Sequence, residues 1–383
     1  MKRILVWQWG RRGGGPRFGL NVAQAIARLP GREVMLSLSR RAEVLDASDF
    51  NSNTVPLWLV ETYGGFGGLI ARLLGAPAMV QELVRGIRAW RPDFVICAMT
   101  GPIDLLMVAA LRWLRVPFAV IVHDALPHPG DGFPFQHMLQ NMVIREADVV
   151  VALTQHVARQ LHALSGLDRK RIVVASLPPF TYSRLSHCSE QEVPERAPGP
   201  IRLLMFGRLL AYKGIDLLIA ALEKMPETTA FNFRVVGSGP ETAELKTLAA
   251  MPGVTVENRW VPEDEIASLI SWADVMVLPY REASQSGVGA VALAAGKQVL
   301  ATRVGGLEEQ FAGEAGVSLC APEAAALTQA LQEVIRNGPR IGEMPSRSSQ
   351  QWEAMAARML ADIEAEYEMR SVVHAADAVA SIS

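Results

Sequence analysis

The chain has 383 residues, 50% hydrophobic and 20% charged, the composition of a folded globular protein with length for two domains; intrinsic disorder is excluded as a description of the whole. Three cysteines, Cys97, Cys188 and Cys320, are odd in number and far apart, which excludes a disulfide framework and a closed cysteine zinc site and fits a reduced, cytoplasmic compartment. The net charge of −2 conceals opposite halves: residues 1–199 hold 22 Lys and Arg against 16 Asp and Glu, the remainder 15 against 23.

That asymmetry suits an anionic surface or partner for the first half, or the ordinary variation of a solvated surface. The basic half lacks the aromatic-interleaved patch expected for nucleic acid. The amino terminus starts with Lys2-Arg3, but its apolar run is short and contains Gln8, so it reads as a strand and not as a signal peptide. Apolar stretches such as 288–296 end well short of the roughly 20 residues that a membrane helix needs.

In chain order, residues 3–9 form an apolar strand, followed by a glycine loop and a helix with Leu20, Ala23, Ile26 and Ala27 on one face. Strands follow at 33–39, 93–98, 118–123 and 149–153, each short and rich in β-branched residues. Residues 181–200 are polar and proline-rich, the composition of a linker. Strand and helix alternation then restarts: strands at 201–206, 231–236, 254–258, 275–278 and 298–302, with helices at 215–223 and 288–295. The expected fold class is therefore α/β, two parallel-sheet, Rossmann-like domains facing across a cleft, over residues 1–180 and 201–350. Trp352, Met355, Ala356, Met359, Ile363 and Tyr367 mark one face of a helix over 351–370 that packs on a domain, and 371–383 reads as a weakly patterned tail.

The strongest motif is Gly207-Arg208 followed by Lys213-Gly214, between a strand and a helix. In open α/β sheets ligands sit beyond the carboxyl ends of strands, where helix starts favour anions. Arg208 can grip phosphate oxygens through two parallel hydrogen bonds and Lys213 adds a point charge; the bland reading is a pair of surface cations. A second small-residue helix start, Gln285-Ser286-Gly287, could grip a second phosphate, and Glu282 could accept from sugar hydroxyls or be a solvated loop carboxylate. The first glycine loop, Gly13-Gly14-Gly15, misses the dinucleotide spacing, and Ser39-Arg40-Arg41 follows the second strand where an acidic residue would serve NAD, which disfavours a nicotinamide enzyme.

His123 ends a strand and should point into the crevice, to exchange protons, donate a hydrogen bond, or serve structurally. A metal site from His123, Asp124, His128 and Asp131 follows no ligand spacing, and none is expected. Weaker candidates are Gly237 and Gly239 in a turn after a strand, Val261 with its backbone toward a nucleobase, and Glu308 at another strand end.

Together these motifs resemble the nucleotide-sugar glycosyltransferases of the GT-B fold, specifically glycosyltransferase family 4. The likeness covers nearly the whole chain and is most specific over residues 201–310, through Gly207-Arg208, Lys213-Gly214, Val236 to Pro240, Ala273-Asp274-Val275, Pro279, Ala301-Thr302 and Val304-Gly305-Gly306. The resemblance implies a second domain that binds a UDP- or GDP-type sugar and a first that binds a saccharide or lipid-linked acceptor, without a cofactor. It implies that Arg208 and Lys213 stabilise the diphosphate, that Gly14 and Gly15 approach it, and that His123, with Asp124 beside it, faces the transferred sugar. The family's two glutamates with seven residues between them have no counterpart around Glu282, since Ala290 stands eight positions on, so retention of configuration is implied by the family only. A lipid-linked acceptor implies a peripheral position on the inner membrane face, with Arg85, Arg88, Arg91, Arg112 and Arg115 drawn to anionic lipid. A silent nucleotide-binding homologue, a sugar-nucleotide epimerase and an NADP oxidoreductase stay open as alternatives.

Overall fold

A computed structural model describes all residues except 1, 48, 52, 129, 131–134, 165–166, 168–171, 181, 183–198, 227, 340–347 and 381–383, and leaves the side chains of 66 and 368–380 undescribed. Most of the expected linker, Cys188 and Asp131 lie outside the described residues.

The first domain runs β1 (Lys2–Gln8), α1 (Gly14–Ala27), β2 (Arg32–Ser39), β3 (Leu57–Val60), α2 (Phe66–Leu74), α3 (Ala76–Trp90), β4 (Phe94–Cys97), α4 (Asp104–Leu114), β5 (Phe118–Val122), α5 (Gln136–Glu146), β6 (Val149–Ala152), α6 (Gln155–Ala163) and β7 (Ile172–Val174). The second runs β8 (Ile201–Arg208), α7 (Ile215–Leu222), β9 (Phe231–Ser238), α8 (Ala243–Ala249), β10 (Val254–Asn258), α9 (Glu263–Trp272), β11 (Val275–Leu278), α10 (Gly287–Ala294), β12 (Gln298–Thr302), α11 (Leu307–Gln310), β13 (Val317–Cys320) and α12 (Ala324–Asn337). A last helix, α13, spans Ser348–Ala380.

Both sheets are parallel, in the orders β3-β2-β1-β4-β5-β6-β7 and β10-β9-β8-β11-β12-β13. Their central strands, such as Phe-Ala-Val-Ile-Val in β5 and Val-Met-Val-Leu in β11, are buried along their whole length, as sheets covered by helices on both faces require. In each sheet the strand order reverses beside the first strand, between β1 and β4 and between β8 and β11. Such switch points open a crevice at the carboxyl ends of the strands. Gly13 lies in the loop after β1, and Gly14 and Gly15 open α1; Arg208 ends β8, and the loops after β8 and β11 carry Leu209 to Gly214 and Tyr280 to Ser286. Topology alone therefore puts the candidate residues on the lips of two facing crevices.

Three edge strands, β3, β7 and β13, go beyond the sequence expectation; at three or four residues each, they are too short to show a period. The final helix also differs from expectation. It starts at Ser348 and continues to Ala380, so most of the presumed tail is helical. It packs on the first domain: Trp352, Ala356, Met359, Leu360 and Ile363 are buried, Trp352 lies 5.8 Å from Phe18 and donates from Nε1 to Pro179 O at 2.9 Å, and Glu364 takes Lys2 and Arg32. Tyr182, inside the presumed linker, is buried too. A cavity of about 360 Å³ lies beside this crossover, between residues 174–179, Ala290 and Leu293 of α10, and Met355 and Met359. No described helix is long and apolar enough to cross a membrane.

Candidate active site

The loop after β8 is shaped by backbone crowding. A side chain at Gly214, where φ is +73°, would put its Cβ 1.8 Å from Pro279 O, and one at Gly237 would meet Gly207 O at 1.6 Å. Only glycine allows these loops to nest. Gly239, likewise, would reach Leu209 O at 2.1 Å. The glycines thus bring the loops after β8, β9 and β11 together, and Arg208, Tyr212 and Lys213 are held at the rim.

Tyr212 organises the cations. Arg208 hydrogen-bonds its side chain, and Lys213 Nζ lies 4.9 Å from its ring centre and 3.7 Å from that of Tyr280, distances of cation–π attraction. Burial first, opposed by Arg208, pushes the Tyr212 phenol up to about 12. From the first domain His128 stacks on the same ring, 4.3 Å between centres and 12° from parallel. Arg208 and Lys213 therefore meet on one aromatic residue at the domain gap, and Lys213 is in no ion pair among the described residues.

The segment 282–286 forms a seam with the first domain. His123 Nε2 lies 3.1 Å from Ala98 O and its Nδ1 lies 2.9 Å from Gln285 Nε2. A carbonyl can only accept, so Nε2–H donates to Ala98 and Nδ1 accepts from the Gln285 amide. The ring is then the neutral tautomer, in accord with burial, which lowers its pKa against the pull of Asp124. Phe18 holds it edge-on at 4.6 Å. Beside it, burial alone would raise the Asp124 carboxyl, but the His128 and Ser284 hydrogen bonds bring it below the usual range. Thr154 Oγ1 donates to Ser284 O at 3.3 Å.

The other expected site residues have the following surroundings. Ser286 caps α10 by accepting the Gly289 N–H at 3.1 Å, and its own N–H donates to Gln310 Oε1 at 2.7 Å; the backbone donor is thus engaged within the second domain, and the hydroxyl keeps its O–H to donate. Gly287, next to it, is exposed. Glu308 is an exposed partner of Arg303 at 2.9 Å, whereas Glu309 reaches the first domain, accepting from Gln155 N at 2.7 Å at the start of α6. Val261 is a core side chain, so only its backbone is available. Gly14 is exposed with nothing near its Cβ position, but Gly15 is buried against Gln8 and Met99. Glu282, half-exposed, faces His128.

Other residues of the gap carry no sequence signal of their own. Arg17 of α1 is buried between Asp49, which it grips bidentately at 2.7 Å from each terminal nitrogen, and Glu263 of the second domain. Burial alone would lower the Arg17 pKa, but the two carboxylates raise it; burial raises that of Glu263. Trp260 reaches across to donate to Glu43 Oε1 at 3.2 Å, with Arg12 over its ring at 5.7 Å.

Residues 200–337 match a family model described as "Glycosyl transferases group 1", and residues 13–178 one described as "Glycosyl transferase 4-like domain". The chain is 26% identical over 305 residues to the 2-deoxystreptamine glucosyltransferase of Streptomyces kanamyceticus, covering 72% of this chain and 76% of that one. Its fold is similar to that of a glycosyltransferase from Rickettsia africae, with a TM-score of 0.63 at 17% identity over 96% of this chain and 98% of the other. It is also similar to Anabaena HepE solved with UDP-glucose, with a TM-score of 0.60 at 17% identity over 97% and 100% of the two chains.

Proposed function

The chain belongs to the family 4 glycosyltransferases of the GT-B fold, and on that premise we propose that it moves a hexose from a UDP- or GDP-type sugar to a saccharide or lipid-linked saccharide acceptor, in cell-surface polysaccharide or glycoconjugate synthesis. The observation that carries the donor reading is the meeting of Arg208 and Lys213 on Tyr212 at the gap. Breaking the bond from the sugar to the diphosphate builds negative charge on the leaving phosphate, and prearranged cations stabilise it there. In this reading Arg208 and Lys213 supply that charge without a metal ion. The neutral His123 and the Gln285 amide sit where the transferred sugar would lie, and His123 offers a hydrogen bond once either of its present partners yields. Retention of configuration is carried over from the family alone.

The acceptor reading rests on the first domain. Leu126 and Phe135 are exposed in the stretch between β5 and α5, an apolar margin suited to a lipid-linked acceptor. Ile70, Leu73 and Leu74 of α2 are exposed, and Arg85, Arg88, Arg91 and Arg115 are exposed on α3 and at the end of α4. Arg112 contributes less charge, being paired with Glu146 at 3.1 Å and Asp148 at 3.5 Å. This surface supports peripheral attachment to anionic lipid at the cytoplasmic face. A thermal-shift panel of UDP, GDP, ADP, their sugars and NADP tests the donor reading: stabilisation by UDP or GDP and one of its sugars is expected, and stabilisation by NADP alone would overturn it.

A further inference from the structure

We infer that His128 is a positioning residue for the transfer: stacked on Tyr212 from the opposite domain, it holds that ring, and through it Arg208, in place for the donor diphosphate. The inference rests on the donor reading above.

His128 is only 7% exposed, though it belongs to the stretch between β5 and α5 and not to a core element. Its Nε2–H donates to Asp124 Oδ1 at 3.2 Å, within its own domain. Its Nδ1 has no hydrogen-bond partner among the described residues; the nearest acidic group, Glu282 Oε1, is 3.5 Å away. No hydrogen bond therefore ties the imidazole to the second domain. Besides the Glu282 carboxylate at 3.5 Å, what crosses the gap is the face-to-face contact with Tyr212, and Tyr212 is the residue that takes the Arg208 hydrogen bond and lies under Lys213. The ring plane of Tyr212 has Lys213 and His128 as neighbours; without the imidazole it is free to tilt, and the side chain bonded to its hydroxyl moves with it.

A planar ring at 128 should thus suffice, and hydrogen-bonding ability alone should not. Titration calorimetry of UDP and of GDP against the intact protein separates the two. For whichever of them binds, His128→Ala should raise Kd about tenfold, the upper end of what one aromatic pair contributes. His128→Phe, which keeps the stack and leaves the partly exposed Asp124 to water, should return Kd to within about threefold of the parent by the same argument. His128→Asn, which retains a hydrogen-bonding group but no aromatic ring, should resemble the alanine variant. Unchanged affinity in His128→Ala, or equal affinity in the Phe and Asn variants, overturns the inference while leaving the donor reading intact. Should the alanine variant not fold, the Phe and Asn pair still decides. Failure of both nucleotides to bind the parent protein defeats the donor reading, and this inference with it.

Discussion

Gln285 Nε2 lies 2.9 Å from His123 Nδ1, and the two residues belong to different domains. The amide donates and the imidazole accepts, so this contact exists only while the ring is neutral. Burial already holds the His123 pKa below its usual value. Replacing the donor by an acceptor reverses the preference: Gln285→Glu should favour the imidazolium and shift the acid limb of the kcat/KM profile up by about one pH unit or more. Profiles of the parent and of Gln285→Glu check this, and an unmoved acid limb would show that His123 does not govern it.

Arg208→Ala and Lys213→Ala should each lower kcat by about 10²–10³, the effect of removing one prearranged charge-stabilising group, while circular dichroism and melting temperature stay near the parent's. Retained turnover in either folded variant counts against the diphosphate assignment.

Arg17 carries a prediction about stability. Its guanidinium is buried between Asp49 and Glu263, and truncation leaves two carboxylates facing each other without a counter-charge. Arg17→Ala should cost about 3–5 kcal/mol, read from denaturant midpoints at constant m. A loss below 1 kcal/mol would mean that the gap is hydrated there.

Asp104 is buried and accepts Gly101 N–H at 2.7 Å on Oδ2; burial above all, opposed by Gly101 and Trp7, raises its pKa to about 7. The folded state binds this proton more tightly than the unfolded chain, so the contribution is full below pH 3.8 and is lost as pH rises through about 7. Between these values parent stability should fall relative to Asp104→Asn, at a slope of at most about 1.4 kcal/mol per pH unit. Urea titrations at pH 5 and pH 8 measure the difference; a pH-independent gap would show that Asp104 does not titrate there.

Membrane attachment has its own test. Cosedimentation with anionic vesicles, and not with neutral ones, should be abolished by high salt and weakened by replacing Leu73 and Leu74 with serine. Salt-insensitive behaviour, or no cosedimentation at all, removes the attachment.

Fold and site were legible to different depths. The strands that cross the sheet centres are unbroken apolar runs, and Arg208 and Lys213 flank a strand end, where topology makes position meaningful. The seam was not legible. Nothing local distinguishes Glu309, which reaches α6, from Glu308, which pairs with Arg303. Nor does the chain advertise that Tyr212 would meet His128, because partners brought together only when two domains dock share no period and no spacing. The cap role of Ser286 was hidden for a related reason: a serine at a helix start serves equally as cap or ligand, and its partners on Gln310 arrive from another loop.

Because α13 follows the second domain yet lies on the first, the backbone passes between the two bodies twice. The two passages meet the first domain side by side, where Trp352 donates to Pro179 O, so both ends of the second domain are tethered at one place. The void beside Leu177 and Met355 borders that shared tether, with Ala290 and Leu293 of α10 as its second-domain wall.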